Sequence, residues 1–214
     1  MATTSNLRAV FLPIKNLVDN LLPQDDSVNY LEDPSVDIVA IAKNCGIDGI
    51  RRVPSSEVFG KHAHLIAEMI YVNNEKSKEK ERFSIAHELF HLLVRDKNDD
   101  GLQAVARQGG AWKIENAGSP EAVDEEIADY FAASLLIPTE RFILWEDKPD
   151  EEIARAFKVE PKCIEKRRGE IEFELEEMVP EGLSSDVKLE AQSPLSLDEL
   201  NLLMEEYCGS EGQA

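Results

Sequence analysis

The segment RFSIAHELFHLLVRD, residues 82–96, decides the fold of this chain of 214 residues. It contains the pattern HExxH, inside a run whose apolar residues recur at helical spacing. His87 and His91 are four positions apart, so on a helix they lie on one face and both imidazole rings can reach one metal ion. The segment therefore predicts an amphipathic helix over residues 79–94 that carries two metal ligands.

Glu88, next to the first histidine, is the residue type that metal-dependent hydrolysis needs at this place. Its carboxylate can contact a metal-bound water without itself being a ligand. A Zn²⁺ ion lowers the pKa of that water to about 7, and the carboxylate accepts its proton as the water attacks a carbonyl group. The alternative is a helix that carries two histidines without a metal, and the surrounding helical pattern favours the metal site.

A catalytic zinc ion takes a third protein ligand and leaves its fourth position open. The best source is the next predicted helix, DEEIADYFAASLLIP, residues 124–138. Glu125 and Asp129 share a face of that helix, so Glu125 can bind the metal while Asp129 orients a histidine ring. Glu126 is the rival ligand, because the sequence does not determine the helical phase to one residue. Each acid can also be a solvated carboxylate that the helix dipole favours.

The rest of the chain predicts a mixture of helices and short strands. A helix is expected between Asp33, a candidate N-cap, and Gly46, a left-handed stop. Residues 49–73 contain short apolar runs typical of strands, and residues 150–178 carry two further helical patterns. The predicted fold class is therefore α+β.

The two motif segments, with YVNN before the first of them, resemble the ImmA/IrrE family of metallo-endopeptidases over residues 35–140. In that family an HExxH helix, preceded by Arg-Phe, is followed by a helix that ends in a stretch like FAxxLLxP. The resemblance implies a zincin-like fold with helices packed on a small β-sheet. It also implies that His87, His91 and Glu125 bind the metal and that Glu88 is the catalytic acid/base. The implied cofactor is Zn²⁺, with Mn²⁺ or another divalent ion as alternatives.

The chain is predicted to consist of three parts. Residues 1–146 form the zincin-like metallopeptidase domain. Residues 147–178 form a helical appendage whose two helical patterns, separated by a turn, are typical of a helix-turn-helix. Residues 179–214 are expected to be an acidic, flexible tail with a short terminal helix, because from Glu170 onward 13 acidic residues face a single lysine.

Four further side chains are candidates for lining the cleft. His62, His64, Tyr71 and Tyr130 are predicted to contact substrate or to stabilise the oxyanion of the transition state. For the two histidines the competing interpretation is the exposed end of a strand. Arg82, about one helical turn before the HExxH motif, is expected either to pair with an acid or to remain solvated.

The charge and cysteine counts exclude several classes of protein. With 23 Lys and Arg against 43 Asp and Glu, the formal net charge of −20 argues against direct DNA binding and against an anionic membrane surface as a partner. No apolar run approaches the ~20 residues of a spanning helix. Three widely spaced cysteines fit a reducing compartment, so we expect a cytoplasmic protein. DNA reading by residues 150–178 is a weaker hypothesis.

These observations predict a zinc-dependent endopeptidase that acts on a cytoplasmic protein. The resemblance implies that the substrate is a helix-turn-helix transcriptional repressor, because the family controls such repressors in bacteria and their mobile elements. The alternative hypothesis is a metal-binding regulator that binds or sequesters a repressor without cutting it. Glu88 favours the enzyme, since metal binding alone does not need that carboxylate.

Overall fold

The structure is a computed structural model that describes residues 14–23, 29–95 and 120–178. The chain divides into two compact units, Met1–Glu174 and Leu175–Ala214. The predicted acidic tail with its terminal helix, and the polar stretch that follows the HExxH helix, lie outside the described residues. The three-part division at residues 146 and 178 stays a prediction.

A small mixed sheet forms one layer of the first unit. Its three strands are β1 (Gly49–Val53), β2 (Ala63–Ile66) and β3 (Met69–Asn73), in the spatial order β1-β3-β2. The strand β3 pairs in parallel with β1 and antiparallel with β2. Alternation along β3 buries Ile70 and Val72 on one face, so the sheet has one apolar face to be covered by a helix.

Helices make up the remainder of the described structure. Residues 14–21 form α1. The helices that follow in chain order are α2 (Ile38–Asn44), α3 (Lys78–Arg95), α4 (Pro120–Leu136), α5 (Thr139–Ile143), α6 (Asp150–Phe157) and α7 (Pro161–Met178). A short 3₁₀ turn, Ser55–Val58, lies between β1 and β2. Helices and one small sheet together confirm the α+β fold class.

The helix α3 is the centre of the packing. It contacts β2 and β3 on one side and α2 and α4 on others. Its apolar residues Ile85, Ala86 and Leu89 are almost completely buried, which explains why the HExxH segment folds as a helix inside the molecule. The predicted range 79–94 agrees with the observed one within one residue at each end.

One predicted helix boundary is wrong. The helix α2 begins four residues later than the candidate cap Asp33 suggested, because the side chain of Asp37 accepts a hydrogen bond from the Ala40 amide and is the actual N-cap. Asp33 instead accepts hydrogen bonds from the amide and the hydroxyl of Ser35. Gly46, the predicted stop, has a φ of 94° and so takes up the left-handed region.

Long-range hydrogen bonds connect the helical segment after residue 138 to the rest of the unit. Arg141 Nη1 donates to the Pro34 carbonyl over 3.1 Å, and Trp145 Nε1 donates to the Tyr30 carbonyl over 2.9 Å. Arg82 Nη2 donates to the Val36 carbonyl over 2.8 Å.

Among the helices of the described residues, none combines the length and apolar character that a bilayer crossing requires.

Candidate metal centre

Three side chains from two helices meet at one point. His87 and His91 lie one turn apart on α3, and Glu125 lies on α4, which packs against α3. The Nε2 atoms of the two histidines are 3.2 Å apart. Glu125 Oε2 lies 3.0 Å from His87 Nε2, and Glu125 Oε1 lies 3.5 Å from His91 Nε2. These three residues form the one group of metal-ligand type that the described part of the chain contains.

The spacing of these atoms fits a metal ion. Zinc–ligand bonds of about 2.0–2.1 Å in tetrahedral geometry separate neighbouring ligand atoms by about 3.3 Å, and the three observed separations fall on both sides of that value. Imidazole nitrogens and carboxylate oxygens carry lone pairs that repel at such distances unless a proton or a cation lies between them. The donor set therefore fits a divalent ion held by two histidines and one glutamate.

Asp129 determines which nitrogen of His87 faces His91 and Glu125. Asp129 Oδ1 lies 2.9 Å from His87 Nδ1. Because the carboxylate is an acceptor, this contact favours a proton on Nδ1 and leaves Nε2 as the nitrogen that can bind an ion. Burial lowers the pKa of His87, but the hydrogen bond and charge of Asp129 outweigh it and the pKa is raised. Burial likewise raises the pKa of Asp129, and the hydrogen bond with His87 outweighs it, so that pKa is lowered.

Aromatic packing contributes to the contact between the two helices. The rings of Phe90 on α3 and Phe131 on α4 have their centroids 5.4 Å apart and are buried. Such a pair stabilises a helix contact through both its buried area and its ring geometry. Phe90 also lies against His91, with 6.1 Å between the ring centroids. Phe90, between the two histidines in sequence, therefore contributes to the contact of α4 with α3 beside the cluster.

The family model of the IrrE N-terminal-like domain, Peptidase_M78, matches residues 49–168. The chain belongs to this family of metallopeptidases. The match covers more than half of the chain, including β1 to β3, the HExxH helix α3 and the helix α4. It confirms the resemblance to the ImmA/IrrE family. No curated protein matches the chain.

In this M78 chain, Glu88 and Glu126 occupy different environments from the three clustered residues. Glu88 is half-buried beside His87, and its charge contributes to the raised pKa of that histidine. Glu126 is exposed and is not part of the cluster. The structure thus brings Glu125, rather than its neighbour, to the two histidines.

Three of the predicted cleft residues lie on or beside the sheet. His64 on β2 and Tyr71 on β3 are paired across the two strands. The His64 ring meets the exposed Phe59 ring edge-on, at 6.1 Å between centroids. His62 is exposed just before β2, and its backbone carbonyl accepts a hydrogen bond from the Asn73 amide. The structure does not place either of these histidines in the cluster.

Tyr130 points away from the cluster. Its hydroxyl donates a hydrogen bond of 2.6 Å to Glu174 on α7, and the residue is 8% exposed. Burial, followed by the charge of Glu174, raises the pKa of this hydroxyl far above its ordinary range. The hydroxyl of Tyr130 is therefore engaged by α7, and its contact with substrate stays a prediction.

Sequence reasoning missed the buried ion pair on α7. Arg167 and Glu174 are 1% and 2% exposed, and they lie at helical spacing with the buried Ile164 and Ile171. Charged residues that fall on an apolar stripe are the signal that could have revealed this pair. Arg82, for which two interpretations were open, donates its Nε to the Lys158 carbonyl and so connects α3 to the turn between α6 and α7.

Proposed function

We propose that this protein is a metal-dependent endopeptidase whose ion is held by His87, His91 and Glu125. The convergence of their ligand atoms, all within 4.8 Å of one another, is the observation that carries the proposal. It coincides with membership of a family of metal-dependent peptidases. The polypeptide nature of the substrate follows from that family.

Each residue of the site has a defined task in peptide hydrolysis. A bound divalent ion supplies Lewis acidity, which polarises a peptide carbonyl and makes a water molecule more acidic. Glu88 accepts the proton of the attacking water and delivers it to the nitrogen of the leaving amine. Asp129 holds the proton on His87 Nδ1, so that the lone pair of Nε2 is available to the ion. His91 and Glu125 complete the ligand set.

The donor set favours Zn²⁺. Two histidines and one glutamate are a ligand combination of catalytic zinc sites, in which the fourth position stays open for the reaction. Manganese and magnesium prefer more oxygen ligands and higher coordination numbers, which three side chains with two imidazoles do not provide.

The surroundings of the site suit a polypeptide substrate. The side chains of Glu125 and Asp129 are 59% and 46% exposed, so the centre opens to solvent on the α4 side. We propose, from the family resemblance, that the substrate is a helix-turn-helix transcriptional repressor in the cytoplasm. Arg167 and Arg168 of the helix-turn-helix-like segment donate to Glu174 and Asp150 within the chain, which supports a packing role for this segment and argues against DNA reading.

The variant Glu88→Gln tests the proposed catalytic role. Glutamine preserves the size of the side chain but does not accept a proton from water, so we expect one bound metal ion per chain and hydrolysis lowered by about 10²–10⁴-fold. Metal content is measured by mass spectrometry, and cleavage by mass spectrometry of an unstructured peptide library. Glu79→Gln, in the first turn of the same helix, is the matched control and is expected to cleave normally.

The same variant separates the enzyme from a non-proteolytic regulator. If the repressor is controlled by cleavage, Glu88→Gln leaves it intact in cells that carry both proteins. A regulator that only sequesters the repressor would act equally well with either residue at position 88. Metal bound by both forms, with repressor control unchanged in Glu88→Gln, would overturn the endopeptidase proposal.

A further inference from the structure

We propose that a buried polar network of Tyr130, Thr139, Arg167 and Glu174 positions the helix α4 and thereby the ligand Glu125. This inference rests on the proposed metal site. The four residues are positioning residues, because none of them touches the cluster. The network connects the helical appendage to the peptidase site.

Glu174 on α7 is the acceptor at the centre of the network. It accepts hydrogen bonds from the Tyr130 hydroxyl over 2.6 Å and from the Thr139 hydroxyl over 2.5 Å. It also forms an ion pair with Arg167 Nη1. One carboxylate thus joins α7 to the middle of α4 and to the first residue of α5.

Arg167 holds the chain where α4 ends. Its Nε donates to the Ile137 carbonyl over 3.1 Å, directly after the last residue of α4. Its Nη2 donates to the Thr139 hydroxyl over 2.9 Å and to Glu174 Oε2 over 3.1 Å. The helix α4 is therefore held by α7 at two points, Tyr130 and the end of the helix.

The network is rigid because its groups are buried and satisfied. Arg167, Glu174, Thr139 and Tyr130 are all at most 8% exposed. A buried polar group that loses its partner costs free energy, so the bonded arrangement is favoured over other positions of the helix. A small rotation or sliding of α4 would break several of these bonds at once.

The connection to the metal site runs through consecutive residues. Asp129 faces His87 of the site, and the next residue, Tyr130, faces Glu174. Neighbours on a helix project about 100° apart, so the two contacts together determine the rotation of α4. Glu125 lies one turn before Asp129 on the same face, and its distance to the two histidines depends on this rotation.

Zinc affinity of the metal-free protein tests the inference. Removing a direct partner of a metal ligand weakens metal binding by about 10–100-fold. Tyr130 acts through the position of α4, so for Tyr130→Phe, which removes one oxygen atom, we expect a Kd for Zn²⁺ weakened by the lower end of that range, about tenfold. We also expect a changed visible absorption spectrum when Co²⁺ is bound, since that spectrum reports ligand geometry. Glu174→Gln keeps an acceptor for Tyr130 and should retain more affinity than Glu174→Ala.

Two control variants separate positioning from general stability. Ser134→Ala removes another buried hydroxyl of α4, one with no hydrogen-bond partner among the described residues, and should leave the Kd for Zn²⁺ unchanged. Val58→Ala lowers stability at the 3₁₀ turn that contacts β3, outside the network, and should also leave the Kd for Zn²⁺ unchanged. Thr139→Val repeats the test if Tyr130→Phe does not fold.

The possible outcomes are distinct. A lower melting temperature in Tyr130→Phe with an unchanged Kd and Co²⁺ spectrum would overturn the positioning role. Equal losses of affinity in Val58→Ala and Tyr130→Phe would overturn it as well. A wild-type protein that binds no Zn²⁺ would instead refute the proposed function on which the inference rests.

Discussion

At the scale of single residues, Asp129 acts on His87 through its negative charge as well as through its hydrogen bond. A neutral acceptor would supply only the hydrogen bond. An amide oxygen at this place could also accept the proton of His87 Nδ1, but only a carboxylate raises the pKa of that ring through its charge. A more basic imidazole is a stronger ligand, because the lone pair that binds a proton is the one that binds the metal. We therefore expect Asp129 to strengthen His87 as a metal ligand without binding the ion itself.

The identity of the third ligand gives the prediction at this scale. We expect Glu125→Ala to lose the metal ion and Glu126→Ala to keep it, because Glu125 lies 3.0 Å from His87 whereas Glu126 is exposed and outside the cluster. Glu126→Ala is a matched control, since it removes the same charge from the same helical turn. Metal per chain is measured by mass spectrometry. The reverse pattern would show that α4 presents its other face to α3.

At the scale of elements, α3 must be held in place along its length for its histidines to meet α4. Its first turn is attached to the sheet through Glu81, which accepts hydrogen bonds from Arg52 on β1, at 2.5 Å and 3.1 Å. Lys78 Nζ lies 3.1 Å from the same carboxylate. Burial raises the pKa of Glu81, and its bonds to Arg52 and Lys78 outweigh this, so the pKa is lowered from its ordinary value of 4.5.

This lowered pKa predicts a pH dependence of stability. A carboxyl group whose pKa is lower in the folded protein stabilises it above pH 4.5, and this contribution is lost as the pH falls through the folded-state pKa. We expect Glu81→Gln to lower the free energy of unfolding at pH 7 by about 1–3 kcal/mol and to flatten its decrease below pH 4.5. Urea unfolding between pH 3 and 7 measures both effects. An unchanged pH profile would mean that Glu81 titrates alike in the folded and unfolded chain.

Local sequence signals predicted the elements better than their junctions. Pro138 and Gly46 end α4 and α2 as expected, since each acts through its own backbone. The start of α2 was predicted at the wrong aspartate, because Asp33 and Asp37 are both good caps and the choice depends on distant partners. The Pro34 carbonyl that follows Asp33 accepts a hydrogen bond from Arg141 and is not available to a helix.

At the scale of the whole molecule, we expect folding and metal binding to be coupled. A ligand that binds only the folded chain stabilises it by about 2.7 kcal/mol at a concentration 100 times its Kd. For a domain of this size that corresponds to about 5–10 °C in the melting temperature. We expect Zn²⁺ to raise the melting temperature of the metal-free protein, and a chelator to reverse the effect.

His91→Ala is the control for that shift. It leaves two of the three proposed ligands and should abolish most of the stabilisation by Zn²⁺. A shift of equal size in the wild type and in His91→Ala, measured by differential scanning fluorimetry, would place the bound ion elsewhere on this acidic chain.

The sequence by itself determined most of the elements and the two proposed ligands that share one helix. His87, Glu88 and His91 are related by helical geometry alone, which depends on no other part of the chain. The short-range patterns were likewise sufficient for the α+β class. Local rules suffice for such features because their interacting residues are only a few positions apart.

Only the tertiary structure decided how these parts meet. Helical spacing left Glu126 as a rival to Glu125, and the packing of α4 on α3 brings the carboxylate of Glu125 to the two histidines. The hydroxyl of Tyr130 has its partner, Glu174, on α7, a helix that begins more than 30 residues later in the chain. The physical reason is that a buried polar group must find a partner, and which partner lies within reach is a property of the packed chain.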